Sequence, residues 1–180
     1  MNLKKISIGV FILVSGYLWG QDAGFHQKGI KANFTQKSIE AYQENSQDKL
    51  KDFYEFLSLY SHENNFELRK QIQSNILSMV SSETMKVMDF TTSSIKFIGL
   101  TELLKKIENQ GYTFEISKIK SSENVSMYEW ENSYQLKITK VNHSEIRKVS
   151  QAIVFEPLEK QFGNRSKLVW ELKLNEMLED

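Results

Sequence analysis

The sequence predicts an α+β domain in which N-terminal helices pack on a curved antiparallel sheet of four to six strands. Apolar residues recur at helical spacing up to about residue 109, and from Tyr112 onward they alternate with polar residues at the period of a strand. The strand segments follow one another at intervals of roughly ten residues, whereas parallel strands need crossovers of a dozen or more. The chain has 180 residues, which is the length of one domain.

The composition excludes several classes of function. Basic and acidic residues number 23 each, so the chain lacks the basic surplus that drives nonspecific nucleic-acid binding, and no nucleic-acid partner is predicted. Cysteine is absent, which excludes disulfides, zinc–thiolate sites, iron–sulfur clusters and thiol nucleophiles. Hydrophobic residues make up 40% of the chain, which is enough to build a core.

The first twenty residues have the pattern of a secretory signal. Lys4 and Lys5 precede an apolar stretch over residues 6–14, and small residues follow, among them Gly16 and Gly20. We expect cleavage after Gly20, with a cut after Gly16 as the alternative. The mature protein is expected to be periplasmic or secreted. An uncleaved membrane anchor is the alternative, but residues 6–19 are only 14 residues, whereas a helix needs about 20 to cross a bilayer. No membrane span is predicted after cleavage.

Three helices are predicted after a flexible leader over residues 21–33, within one domain over residues 34–180. Ser46 is the N-cap candidate of the first helix, and residues 35–45 precede it as a separate helix or as an extension. Asn64, with Glu67 three residues on, is the N-cap candidate of the second. The apolar stripes are Leu50, Phe53, Tyr54, Leu57 and Tyr60 in the first helix, Leu68, Ile72, Ile76, Met79 and Val80 in the second, and Leu100, Leu103, Leu104 and Ile107 in the third.

The second half of the chain predicts strands that are separated by short turns. Residues 83–98 are ambiguous, with a hint of one short strand followed by a loop. The strand segments are residues 112–117, 125–131, 134–139, 148–155 and 168–175. The turns are predicted at residues 121–124, at Asn132 and Ser133, and at residues 142–145 and 162–165. An antiparallel meander of these strands needs helices to cover its apolar face.

This order of elements resembles the NTF2-like (cystatin-like) α+β cone superfamily, in which N-terminal helices lead into a long antiparallel sheet. The glutamine that follows the predicted cut resembles the export signals of Bacteroidetes-type bacteria. The cone resemblance implies a cavity between the helices and the sheet. Some members use that cavity for isomerase or dehydratase chemistry, and many bind only ligands or protein partners. It also implies that a homodimer through the sheet is possible.

The leading interpretation is an exported, non-catalytic domain that binds a partner protein or a small apolar ligand in the cell envelope. The ligand-binding candidates are the aromatic residues Tyr54, Tyr112, Tyr134 and Trp170. No cofactor is expected. No metal site is expected either, because the three histidines do not show the spacing of metal ligands.

The alternative interpretation is a small-cavity isomerase or hydro-lyase, with Asp89 as base and Tyr112 or Tyr134 as donor. Asp89 lies between Met88 and Phe90, and burial in an apolar setting raises the pKa of a carboxyl group. The same position also allows Asp89 to point outward on a short strand or to cap the following loop. This hypothesis needs Asp89 within hydrogen-bonding reach of a cavity that also holds a tyrosine hydroxyl. A third possibility is an inhibitor, or an accessory protein of envelope assembly, that uses an exposed sheet edge.

Overall fold

The computed structural model describes residues 29–178 and confirms the α+β class, with helices packed on a four-stranded antiparallel sheet and a small two-stranded sheet beside it. The predicted signal peptide and the leader up to residue 28 lie outside the described residues. The elements are α1 Ile30–Asn33, α2 Gln36–His62, α3 Phe66–Ser78, β1 Lys86–Met88, β2 Phe97–Gly99, α4 Leu100–Ile107, β3 Tyr112–Ser121, β4 Glu129–Lys140, β5 His143–Phe162 and β6 Arg165–Leu178.

The long helix α2 joins two predicted segments. It begins after Thr35, whose side chain accepts a hydrogen bond from the Ser38 backbone N–H at 3.2 Å. Residues 35–45 are therefore an extension, and the prediction of Ser46 as an N-cap is wrong. Ser46 is buried in mid-helix, where its hydroxyl donates to the Gln43 carbonyl at 2.6 Å and accepts from the Asn132 amide of β4 at 2.8 Å.

The N-cap of α3 is Asn65 and not the predicted Asn64. The Asn65 side chain accepts a hydrogen bond from the Leu68 N–H at 3.1 Å. The Glu63 carboxylate accepts from the Asn65 N–H at 2.7 Å, so an acidic residue before the cap fixes the approach of the chain.

The predicted flexible leader, residues 21–33, extends too far, because residues 30–33 form the helical turn α1. Ile30 opens the single turn of α1, and its side chain is fully buried in the core. Its backbone N–H donates to the Met127 carbonyl at 2.8 Å, and Gly29 lies so close to Met127 that a Cβ on the glycine would clash. The fold therefore includes residues 29–33.

The four long strands form a meander in the order β3-β4-β5-β6, as predicted. The predicted turn at Asn132 and Ser133 is wrong, because β4 continues through both residues and pairs Asn132 with Gln151 of β5. The strand that was predicted to start at residue 125 begins only at Glu129, and β5 begins at His143, inside a predicted turn. The residue type at 132 favours a turn, but burial of its amide against Ser46 of α2 decides the conformation.

The strands β5 and β6 extend past the end of β4. The β4–β5 ladder stops at the pair of Glu129 with Val154, and just beyond it the Phe155 N–H donates to the Tyr128 carbonyl at 2.7 Å. Residues 155–162 of β5 otherwise pair with β6. We call the two paired segments, residues 155–162 and 165–172, the distal hairpin. Gly163 closes it with a φ of 63°, in the left-handed region that glycine enters without strain.

Serines of α2 close the free edge of β3. The hydroxyl of Ser58 accepts a hydrogen bond from the Phe114 N–H at 2.8 Å, and that of Ser61 accepts from the Tyr112 N–H at 2.9 Å. Further along, the amide of Gln43 donates to the Ser122 carbonyl at 2.9 Å. The helix thus occupies the backbone donors that a foreign strand would need, which protects an edge from association.

We expect Ser58→Ala to lower the free energy of unfolding by about 1 kcal/mol, because the Phe114 N–H loses its acceptor. Amide hydrogen exchange at Phe114 should become faster. Ser78→Ala is the matched control. Both serines donate to a carbonyl of their own helix, Ser58 to that of Tyr54 and Ser78 to that of Asn75, but Ser78 lies away from the β3 edge. Unchanged exchange at Phe114 in the Ser58 variant would show that α2 does not protect this edge.

Candidate functional site

Asp89 follows β1 and is held by an ion pair. Its side chain is 0% exposed, and its Oδ2 lies 2.7 Å from Nζ of Lys106 on α4. Its Oδ1 accepts hydrogen bonds from the backbone N–H and the hydroxyl of Thr91, at 3.0 and 2.6 Å. The backbone carbonyl of Asp89 accepts from the Arg147 guanidinium at 3.2 Å. Both carboxylate oxygens are therefore already engaged by the protein.

The environment of Asp89 does not raise the pKa of its carboxyl group overall. Burial is the largest single influence and by itself would raise its pKa. The hydrogen bonds from Lys106 and Thr91 together outweigh burial and leave the pKa below its ordinary value. Asp89 is thus ionised at neutral pH and fixes the segment between β1 and β2.

Tyr54 and Tyr134 form a buried chain of hydrogen bonds. Their hydroxyls lie 2.8 Å apart, and the Tyr134 hydroxyl donates to Oε1 of Gln151 at 2.9 Å. The Gln151 amide in turn donates to the Asn175 carbonyl at 2.9 Å. Tyr54 is therefore the donor to Tyr134. Burial raises the pKa of both tyrosines, so both hydroxyls remain protonated at physiological pH.

Tyr112 lies apart from that chain, at the end of the sheet. Its hydroxyl is 3.5 Å from Nζ of Lys140, which also lies 4.6 Å from the centre of the tyrosine ring. Both residues line a cleft of about 160 Å³, together with the loop after Phe90 and the start of β5 at His143. Asp89 is not among the residues that line this cleft.

Trp170 belongs to a separate aromatic cluster in the distal hairpin. Its ring centre lies 4.9 Å from that of Phe34 and 5.1 Å from that of Phe155. Tyr42 of α2 completes the cluster, 4.3 Å from Phe155. These contacts join the start of the helical layer to the inner face of the hairpin and stabilise it beyond the end of β4.

The predicted site residues do not converge on one cavity. Among the described residues, Tyr54 hydrogen-bonds Tyr134, whereas Tyr112, Asp89 and Trp170 each have other partners. Tyr54 and Tyr134 lie in the apolar core, between the helices and the sheet. Recesses lined by the described residues include an open surface groove of about 500 Å³ beside α3 and one of about 360 Å³ between α2 and β3, which Tyr54 also lines.

The sequence allowed a partner at an exposed sheet edge and named Trp170, but it did not predict which edge; in the structure the candidate is the outer edge of β6. Leu174 donates its N–H to the Met79 carbonyl at 3.0 Å and accepts from the Ser81 N–H at 2.8 Å, so its backbone groups point away from β5. Because backbone direction alternates along a strand, those of Leu172, Trp170 and Leu168 point the same way. Within residues 29–178, no hydrogen bond reaches these three outward groups. We call this stretch, residues 166–172, the β6 edge.

Apolar side chains flank the β6 edge. Leu168 is 48% exposed, and Phe162 at the tip of the hairpin is 54% exposed. Leu168, Trp170 and Leu172 share the inner face, while Lys167, Val169 and Glu171 share the outer face. Unpaired main-chain groups beside exposed apolar residues form a surface that can pair with another strand.

The comparisons with known proteins add no relative: no protein-family model, curated protein or solved structure matches the chain. Among residues 29–178, no group of three or more histidine, aspartate or glutamate side chains is placed to hold a metal ion. No helix in that part of the chain has both the length and the apolar character to cross a bilayer.

Proposed function

We propose that this chain is an exported, non-catalytic NTF2-like domain that binds a protein partner through the β6 edge. The observation that carries the proposal is the row of outward backbone groups at Leu168, Trp170 and Leu172, which no described residue occupies. The opposite edge of the sheet, at β3, is occupied by the serines of α2. Residues of α2 protect the β3 edge from association, whereas no residue of the described range 29–178 covers the β6 edge.

A protein partner is favoured over a small apolar ligand because the candidate tyrosines of the core, Tyr54 and Tyr134, are buried and already hydrogen-bonded. The hydroxyls of Tyr54 and Tyr134 bond each other and Gln151, and both rings are almost fully buried. A ligand at these residues would have to break this chain and displace packed side chains. Binding at the β6 edge displaces no such contact.

The chemistry of the proposed binding is strand addition. An incoming strand would hydrogen-bond the main chain of Leu168, Trp170 and Leu172, and each such bond contributes about 0.5–1.5 kcal/mol net. Main-chain bonds provide affinity, and the side chains that alternate along the edge provide specificity. Leu168 and Val169, on opposite faces of the strand, would each pack against the partner.

The isomerase or hydro-lyase alternative has less support in the geometry. Both oxygens of Asp89 are bonded to Lys106 and Thr91, and no hydrogen bond joins Asp89 to a tyrosine among the described residues. A base at this position would first have to leave its ion pair.

We expect a photoreactive benzoylphenylalanine at position 169 to crosslink a polypeptide in the cells that produce this protein. Val169 lies on the β6 edge and is partly exposed, so the probe would sit beside an added strand. The same probe at Ser133, exposed on the outer face in the middle of the sheet, is the control and should give no adduct. Absence of an adduct at position 169, or equal adducts at both positions, would contradict the proposed function.

A further inference from the structure

We infer that the strand that occupies the β6 edge is the β6 strand of a second copy of this chain, in antiparallel register about Val169. The inference rests on the proposed function and names its partner. In this register the two sheets join into one continuous sheet, because β6 is the last strand of the meander. The outward backbone groups of Leu168 in one copy face those of Trp170 in the other, and the two-fold axis repeats each contact.

The charges on the outer face of the distal hairpin support a second copy. Lys160 and Lys167 lie directly opposite each other, and like charges at that spacing repel. Glu171 pairs with Lys160 at 3.4 Å and with Lys173 at 3.2 Å. Lys167, in contrast, has no carboxylate partner among the described residues; its ammonium lies 5.9 Å from the centre of the Phe162 ring.

The antiparallel register about Val169 supplies the missing partner. It places Lys167 of each copy directly opposite Glu171 of the other, so two ion pairs form across the two-fold axis. The hydrogen bonds from Lys173 and Lys160 leave the pKa of Glu171 below its ordinary value although burial raises it, so this carboxylate is ionised at neutral pH. Glu171 of one copy thus faces Lys167 of the other, and Lys167 has no carboxylate partner among the described residues of its own copy.

The apolar side chains match in the same register. Val169 packs against its own symmetry mate on the outer face, and the exposed Leu168 packs against Trp170 on the inner face. Cross-strand pairs of aromatic and aliphatic residues stabilise antiparallel sheets. At the ends of the paired segment Arg165 of one copy lies opposite Lys173 of the other, and this like-charge pair opposes the register. The Ser78 carbonyl at 2.5 Å and the Glu171 carboxylate at 3.2 Å hold the Lys173 ammonium within its own chain.

The absence of cysteine in the chain allows a direct test by engineered disulfides. In the inferred register Val169 faces its own copy at a non-hydrogen-bonded position, where Cα atoms lie about 4.5 Å apart, inside the roughly 4.4–6.8 Å that disulfides span. We expect Val169→Cys to form a covalent dimer under mild oxidation. Light scattering of the wild-type chain should give twice the monomer mass. Ser133→Cys, on the same face but remote from the edge, is the control and should form no disulfide-linked dimer.

The register has its own test. A mixture of Lys167→Cys and Glu171→Cys chains should form the mixed disulfide, while each variant alone should link poorly to itself. A monomeric Val169→Cys chain, or self-linkage of Lys167→Cys as efficient as the mixed linkage, would overturn the inference. If the probe at position 169 captures a different polypeptide while Val169→Cys stays monomeric, the protein-binding function stands and only the second copy is wrong. If neither adduct nor dimer forms, both are wrong.

Discussion

Asp89→Ala is expected to lower the free energy of unfolding by about 2–4 kcal/mol, because it breaks a buried ion pair and removes the acceptor of two further hydrogen bonds. The carboxylate is 0% exposed and joins Lys106 of α4 to Thr91 in the segment that follows β1. Denaturant unfolding at neutral pH measures the loss. The control is Asp48→Ala, which removes an exposed carboxylate paired with Lys51 on the surface of α2 and should leave stability nearly unchanged.

The pH dependence of this contribution identifies its electrostatic part. The pKa of Asp89 is lower in the folded than in the unfolded chain, so the unfolded state binds more protons on acidification. The stabilisation is fully present above the unfolded pKa of about 3.9 and disappears as the pH falls through the lower folded value. The stability difference between wild type and Asp89→Asn should therefore be largest at neutral pH and shrink in acid. A difference that does not change with pH would mean that packing, and not charge, is what Asp89 contributes.

The fold class could be predicted because it depends on periodicity, which is a local property. The helical stripe that ends with Ile107 and the alternation that begins at Tyr112 both lie on the elements that they predicted. Cap and turn signals failed where a tertiary contact outweighs them. Ser46 and Asn132 have side chains typical of caps and turns, but they bond each other across the interface between α2 and β4.

The candidate site was less accessible to sequence reasoning, for two physical reasons. Alternation shows which face of a strand is apolar, but not which of its backbone groups lack a partner; that depends on the register of β6 against β5 and on the bonds of Leu174. The apolar neighbours of Asp89 are compatible with a buried carboxylate and also with one that points outward or caps the following loop, so sequence reasoning left its burial open. Its partner Lys106 could not be predicted, because that residue lies on another element and reaches Asp89 only in the folded chain.

Tyr134→Phe is expected to lower the free energy of unfolding by about 2–4 kcal/mol, because it removes the middle of the buried hydrogen-bond chain. The Tyr54 hydroxyl would lose its acceptor and Oε1 of Gln151 would lose its donor, and both groups are shielded from water. Tyr54→Phe removes only the end of the chain, since Tyr134 can still donate to Gln151. We expect a loss of about 1 kcal/mol for that variant. Thermal and denaturant unfolding of the two variants measure the asymmetry.

The asymmetry separates a structural role from a ligand-binding role for these tyrosines. If the two hydroxyls faced a ligand cavity, each could bond water when the other is removed, and both phenylalanine variants would remain nearly as stable as the wild type. The double variant provides the internal control. Because Tyr134→Phe already breaks the bond between the two hydroxyls, also removing the Tyr54 hydroxyl eliminates an unpaired buried group, so the double variant should be no less stable than Tyr134→Phe alone. Equal and additive losses would instead show that the two hydroxyls act independently and that the bond between them does not stabilise the core.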